Sequence, residues 1–495
     1  MSRLGSTCSE LNIATRPNLF RDVRWPHRRL SKVDSPKALP FLPETTWSLI
    51  HDLHFDWPEE WPDMLTNPAE TDHPDIFKRL DEALPKIPNL KVFSCTIPFD
   101  PPRRTLNILF EYTAVQHLRM IDTPLTKTPL LNEPHKVEAL TLVPVAEAMR
   151  MGEGPFNGKM REMQYFSRPY RQQHRGVAMW FAGEIYLKDF RHVKYLQVSL
   201  QFVWHLGSLS SEPWPELETL ILTGTCGAKN IGSMIDVVYT MPKLRDLRIL
   251  LAKKIGHGPD DDRMSDHHIR KPTILSSIKS LSLSNSYGTE IFLRNASSVE
   301  RLSISAILKH PQIPIGMKSS ELDKALKDLE ISGGNKSLKK IRLMTEDELT
   351  VAFFRKLGQL CPNLEFVEIE RCGYQEGEVG FEWSDYGEVF SEYRYLQELR
   401  IGIPFADCEE DCTAHSDHKE CIRSDRQDFA IHLASWVPTL LYVGFEYRTR
   451  TGKYRKEDRW LDYEIIRSSK RIHLTELAPT WYEIPEVWER TLLHD

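Results

Sequence analysis

Cysteine is scarce in this chain, eight in 495 residues, so the sequence is not a disulfide scaffold. Glycine is scarce too, at 24 residues, below the roughly 7% usual in soluble proteins. Long apolar runs are missing. The best stretch, residues 431–445, is interrupted by His432 and Pro438 and falls short of the roughly 18 unbroken residues a spanning helix needs. The start, Met1-Ser2-Arg3-Leu4-Gly5-Ser6, lacks the apolar run of a secretory signal. Positive charge is not in excess: 64 Lys and Arg against 70 Asp and Glu leave a net charge of −6, a poor match for nucleic acid. Phosphate-binding G-x-x-x-x-G-K, G-x-S-x-G and H-E-x-x-H patterns are absent, so we expect neither an enzyme nor a cofactor. Together these absences argue against membrane, secreted and nucleic-acid-binding proteins and predict a chain of the cytoplasm or nucleus.

Proline, by contrast, is plentiful at 32 residues, and 41% of the chain is hydrophobic, enough for a substantial core. High proline with low glycine suggests frequent stiff corners. One six-residue pattern, apolar-x-x-apolar-x-apolar, recurs along the chain. Its copies begin at residues 50, 90, 115, 137, 160, 193, 217, 244, 278, 299, 338, 364, 396 and 440, at a mean spacing of 30 residues and a range of 21 to 44. Five copies carry proline two residues before the first apolar position: Pro88, Pro215, Pro242, Pro362 and Pro438. Proline stops a helix and favours an extended residue before it.

Helical spacing lies upstream of several of these prolines. Ile76, Phe77, Leu80, Ala83 and Leu84 share a face before Pro85, Phe353, Phe354, Leu357 and Leu360 before Pro362, and Phe429, His432, Leu433 and Trp436 before Pro438. The unit reads helix, proline corner, short strand, loop. Neither its helix nor its strand can bury its apolar face alone; stacked copies can. The expected fold is therefore α/β: an irregular leucine-rich-repeat-like solenoid over residues 46–475, with a parallel sheet on the concave face. Residues 31–45 form a linker before it and 476–495 a C-terminal tail.

The stretch Leu360-Cys361-Pro362-Asn363-Leu364 through Cys372 resembles the repeat of F-box/leucine-rich-repeat proteins, particularly divergent fungal members. Met241–Ile249 and Ile87–Leu90 are weaker copies. In pattern the likeness covers residues 46–475; it is sharp at 360–372. Near the start, Leu4, Cys8 and Leu11 form one helical stripe ended by Pro17, followed by an extended Leu19–Trp25. Residues 1–30 look like the last helix of an F-box and the strand leading into the repeats. The family's opening Leu-Pro-x-Glu helix would precede Leu4, where Met1 stands instead. The resemblance implies a substrate-recognition subunit of an SCF-type ubiquitin ligase. Leu4, Cys8 and Leu11 would dock on the Skp linker subunit, and the repeats would hold an unknown protein substrate for ubiquitin-dependent degradation. The alternative is a stand-alone repeat scaffold without ligase coupling. An ordinary capping helix would carry the same stripe.

Within each triplet the residue between the last two apolar positions alternates to the opposite face of the strand. That row includes His54, Ser94, Arg119, Thr141, Gln164, Gln197, Arg248, Arg342, Glu368 and Arg400, and it is expected to face solvent. Its arginines, Arg119, Arg248, Arg342 and Arg400, are the candidate partner-binding residues, because arginine recognises carboxylate or phosphate bidentately. Any one of them could equally be an ordinary strand residue whose stem covers apolar surface. Cys408, Cys412, His415, His418 and Cys421 are spaced such that thiolates and imidazoles could wrap a zinc ion. The spacing matches no known zinc module and lies in an acidic insertion, so a solvated loop with free thiols is the favoured reading.

Overall fold

The structure is a computed structural model. It describes residues 20–25, 44–56, 73–97, 101–121, 137–143, 190–199, 214–225, 237–238, 240–252, 272–284, 289–305, 317–345, 350–371, 383–403, 417–450, 456–468, 471–477 and 480–481. The chain divides into two compact units. The first holds Met1–Glu147, Glu162–Leu220 and Tyr239–Lys243; the second holds Ala148–Arg161, Ile221–Val238 and Leu244–Asp495. The fold is α/β, a leucine-rich-repeat-like solenoid of parallel strands.

In the first unit the strands are β1 (Asp22–Trp25), β2 (Asp52–Asp56), β3 (Val92–Thr96), β4 (His117–Ile121), β5 (Ala139–Val143) and β6 (Tyr195–Ser199). All pair in parallel, and their apolar positions align as columns. One column runs Val23, Leu53, Phe93, Leu118, Leu140, Leu196, and a second runs Trp25, Phe55, Cys95, Met120, Leu142, Val198. Helices α1 (His73–Ala83) and α2 (Arg103–Tyr112) precede β3 and β4. Phe77 of α1 packs on Phe55 with ring centroids 5.3 Å apart. Asp81 is buried between these helices, accepts from Thr105 Oγ1 at 2.6 Å and pairs with Arg104 at 3.4 Å. β7 (Thr219–Thr225) begins in the first unit and ends in the second.

The second unit continues the pattern in β8 (Asp246–Ala252), β9 (Ser280–Ser284), β10 (Arg301–Ser305), β11 (Lys340–Thr345), β12 (Phe366–Arg371), β13 (Glu398–Ile401) and β14 (Tyr442–Arg450). Here the columns run Leu247, Leu281, Leu302, Ile341, Val367, Leu399, Val443 and Ile249, Leu283, Ile304, Leu343, Ile369, Ile401, Phe445. Helices α3 (Thr289–Leu293), α4 (Ser319–Ser332), α5 (Val351–Leu360), α6 (Trp383–Ser391) and α7 (Asp417–Trp436) occupy the intervening segments. The Thr350 hydroxyl accepts from the Phe353 N–H and caps α5. Gly333, at φ 78°, closes α4 in the left-handed conformation that glycine tolerates best.

Thirteen of the fourteen sequence triplets place their last two apolar residues on described strands, and all three apolar residues of each are buried. Each of these corners is tied to the one before it. The backbone N–H groups of Glu365 and Phe366 both donate to the Lys339 carbonyl, those of Lys339 and Lys340 to Glu300, and those of Glu300 and Arg301 to Lys279. A polar side chain one residue before the first apolar position adds a second tie. Asn89 donates to the Ser48 carbonyl at 2.6 Å, Ser337 to Val299 at 2.9 Å, Asn363 to Lys336 at 2.7 Å and Thr439 to Leu396 at 2.7 Å.

The Met160/Met163/Tyr165 triplet lies outside the described residues. Three expectations change. Among the described residues the parallel run starts at β1, inside the segment 1–30 that the sequence sets apart, rather than at residue 46. At the other end the parallel run stops at β14. β15 (Lys456–Arg467), β16 (Ile472–Glu476) and β17 (Thr480–Trp481) are antiparallel, so the repeats end before 475 and the strands reach into the expected tail. An antiparallel neighbour needs only a short turn where a parallel one needs a crossover of a dozen or more residues, and it covers the edge strand's unpaired amides. Arg467 of β15 donates to the Ala434, Val437 and Leu440 carbonyls, capping the C-terminal end of α7. Trp436, expected on the apolar face of that helix, is 45% exposed.

Candidate functional site

The face of each strand opposite the apolar columns carries the row that holds the candidate arginines. In the first unit this row is not solvent-facing. His54, Ser94, Arg119, Thr141 and Gln197 are all buried, with Thr141 at 0% exposure. Buried polar groups require hydrogen bonds, and Thr141 and Gln197 make them along the row and its neighbour. His117 Nε2 lies 2.9 Å from Thr141 Oγ1, Thr141 donates to Gln197 Oε1 at 3.4 Å, and the Tyr195 hydroxyl donates to the same oxygen at 3.2 Å. His54 Nε2 is 3.1 Å from Asp22 on the adjacent strand. Burial, with Asp22 beside it, pushes the Asp52 carboxyl above its ordinary value. Arg119 therefore belongs to a buried polar belt and is not an open binding residue.

The second unit differs. Arg248, Ser282, Ser303, Arg342 and Arg400 remain partly accessible, yet the arginines are already engaged. Arg248 pairs with Asp246 on its own strand at 2.7 Å. Arg342 pairs with Glu368 at 2.7 Å and lies 3.8 Å from Glu370. Arg400 donates to Glu368 at 3.2 Å and grips both oxygens of Asp462 at 3.0 and 2.9 Å. The result is a charge ladder across the sheet: Arg342 on β11, Glu368 on β12, Arg400 on β13 and Asp462 on β15.

The ladder skips β14, where Gly444 occupies the row. A Cβ there would collide with Asp462 Oδ1 and approach Arg400 Cγ to 2.8 Å, so glycine lets the guanidinium cross the strand. Trp460 is fully buried, with its ring centroid 6.0 Å from Arg400 Cζ. Burial alone would lower the Arg400 pKa; Asp462 and Glu368 outweigh it and hold the guanidinium above its ordinary value. A group that stays charged between two carboxylates is a clasp for the strands, not an acid or base. Arg248, Arg342 and Arg400 thus sit where the period-two pattern places them, but none is an unpaired cation awaiting an acidic partner.

Sequence reasoning did not single out Gly444 or Asp462. A glycine inside a strand triplet was the available signal for the first; Asp462 lies 62 residues from Arg400 in sequence and carried none. Leu4, Cys8 and Leu11 lie outside the described residues, as do Cys408, Cys412 and His415. His418 and Cys421 fall in the first turns of α7, so that part of the cluster is helix rather than loop. Among the described residues no group of three or more His, Cys, Asp or Glu could hold a metal ion, and no helix is long and apolar enough to cross a membrane.

No protein-family model matches the chain, and no curated protein matches it. Among solved structures it is similar to the crystal structure of the Rad7 and Elc1 complex in yeast. The TM-score is 0.37 and the identity 14%, over 83% of this chain and 92% of that one.

Proposed function

We propose that this chain is a protein-binding solenoid of the F-box/leucine-rich-repeat type and serves as the target-recognition subunit of an SCF-type ubiquitin ligase in the cytoplasm or nucleus. In this reading it performs no bond chemistry. Residues 1–30 couple it to the Skp linker subunit, and the accessible sheet face of the second unit holds the target. One observation carries the reading: residues 360–371, within the stretch of sharpest family resemblance, form a rung. Cys361 is buried at the corner, Asn363 ties back to Lys336, and Leu364, Val367 and Ile369 are buried on β12.

The test is binding of the full chain to purified Skp linker subunit, beside a variant lacking residues 1–19. That boundary removes Leu4, Cys8 and Leu11 but keeps β1. The full chain is expected to bind and the truncated chain not to. Absence of binding by the full chain sinks the ligase assignment and favours the stand-alone scaffold.

A further inference from the structure

Cations also cluster at the N-terminal ends of the second unit's strands, outside the central arginine row. Arg245, Lys279, Arg301, Lys339 and Lys340 are exposed on four consecutive rungs, β8 to β11. Two carboxylates stand among them. Asp246 is taken up by Arg248 and Glu300 by Lys279, at 2.7 and 3.0 Å. The Lys279 hydrogen bond holds the Glu300 carboxyl below its ordinary value against a burial penalty, with Lys339 and Arg301 adding to it. Those two cations therefore share one electrostatic neighbourhood with Lys279. Among the described residues no carboxylate pairs with Arg245, Arg301, Lys339 or Lys340. In a chain of net charge −6, this concentration is local.

The rim then changes sign. Beyond Lys340, whose Nζ lies 5.7 Å from the Phe366 ring centroid, the equivalent positions on β12 and β13 are Glu365, Phe366 and Glu398. We propose that this basic rim binds an acidic segment of a protein partner, laid across the N-terminal ends of β8 to β11. This deepens the target-recognition reading and rests on it. Four rungs at about 4.8 Å spacing span about 14 Å, which an extended chain at about 3.3 Å per residue covers with four or five residues. The bounding Glu365 and Glu398 cut the positive track short, which suits a short acidic peptide better than a long phosphate backbone. Such a rim steers encounter and is screened by salt.

The experiment titrates the full chain into a dye-labelled peptide of five glutamates at low and at 0.2 M salt. Binding should weaken about tenfold between the two. The double variant Arg301→Glu, Lys340→Glu should bind at least tenfold more weakly than wild type while melting at the same temperature. A control with the same change in charge, Lys78→Glu with Lys327→Glu on exposed helix positions, should bind as wild type does. Equal loss in the control would reduce the effect to net charge and overturn the rim. Tighter binding of an oligothymidylate of equal charge would overturn the choice of a protein partner. Linker-subunit binding is measured on the same samples. Its retention beside absent peptide binding rejects the rim alone; its absence beside peptide binding rejects the ligase reading and leaves the rim standing.

Discussion

At the scale of single residues, Gly444 carries more of the second unit's geometry than any of the arginines that flank it. It is buried near the start of β14, and its missing side chain is the space through which Arg400 reaches Asp462. Glu368 contributes the other half, pairing with Arg342 and accepting from Arg400 with its side chain only 3% exposed. Gly444→Ala should therefore cost about 2 kcal/mol through forced displacement of a packed pair, read as a lower melting temperature. Repeating the substitution in an Asp462→Asn background separates strain from lost pairing. If the clasp is real, the two changes together cost less than their sum. A strictly additive result, or an alanine variant that melts like wild type, would mean that Arg400 and Asp462 do not depend on the gap.

At the scale of elements, the sequence was legible wherever burial is periodic. A rung must bury three residues at fixed offsets, and that constraint leaves the triplet on the page at thirteen described strands. Three features were less legible. β1 carries the same offsets at Phe20, Val23 and Trp25, with Phe20 only half-buried. β15 follows β14 without a proline corner, and Trp460, Leu461, Asp462 and Tyr463 are buried consecutively. The charge ladder joins residues close in space but remote in sequence, so period two placed the arginines without revealing their partners. Register is the part of this reading a substitution can test. Leu247 is fully buried and aligned with Leu281 on β9, while its neighbour Arg248 sits on the other face. Leu247→Asp buries a charge with no partner, and a loss of about 4 kcal/mol or more is expected. Limited proteolysis near β8 should report local opening, and a variant with wild-type melting would shift the whole register by one residue.

At the scale of the whole molecule, the N-terminal segment that the ligase reading assigns to docking also supplies the first rung. Val23 and Trp25 are buried on β2, with the Trp25 and Phe55 ring centroids 5.4 Å apart, and the His51 and Asp52 amides donate to the Arg21 carbonyl. A truncation at residue 30 therefore removes two things at once, the helical stripe at Leu4, Cys8 and Leu11 and the strand that covers the edge of β2. The two can be separated. Removing 1–19 should leave melting of the first unit unchanged. Removing 1–30 should lower its stability by about 3 kcal/mol, the scale of losing a buried tryptophan, and should leave β2 as an exposed edge prone to self-association. Size-exclusion chromatography and thermal melting read both effects. If the longer deletion melts and elutes like the full chain, β1 is not a structural rung, and loss of linker binding at either boundary would bear on docking alone. If it is destabilised as expected, only the shorter deletion can report on docking.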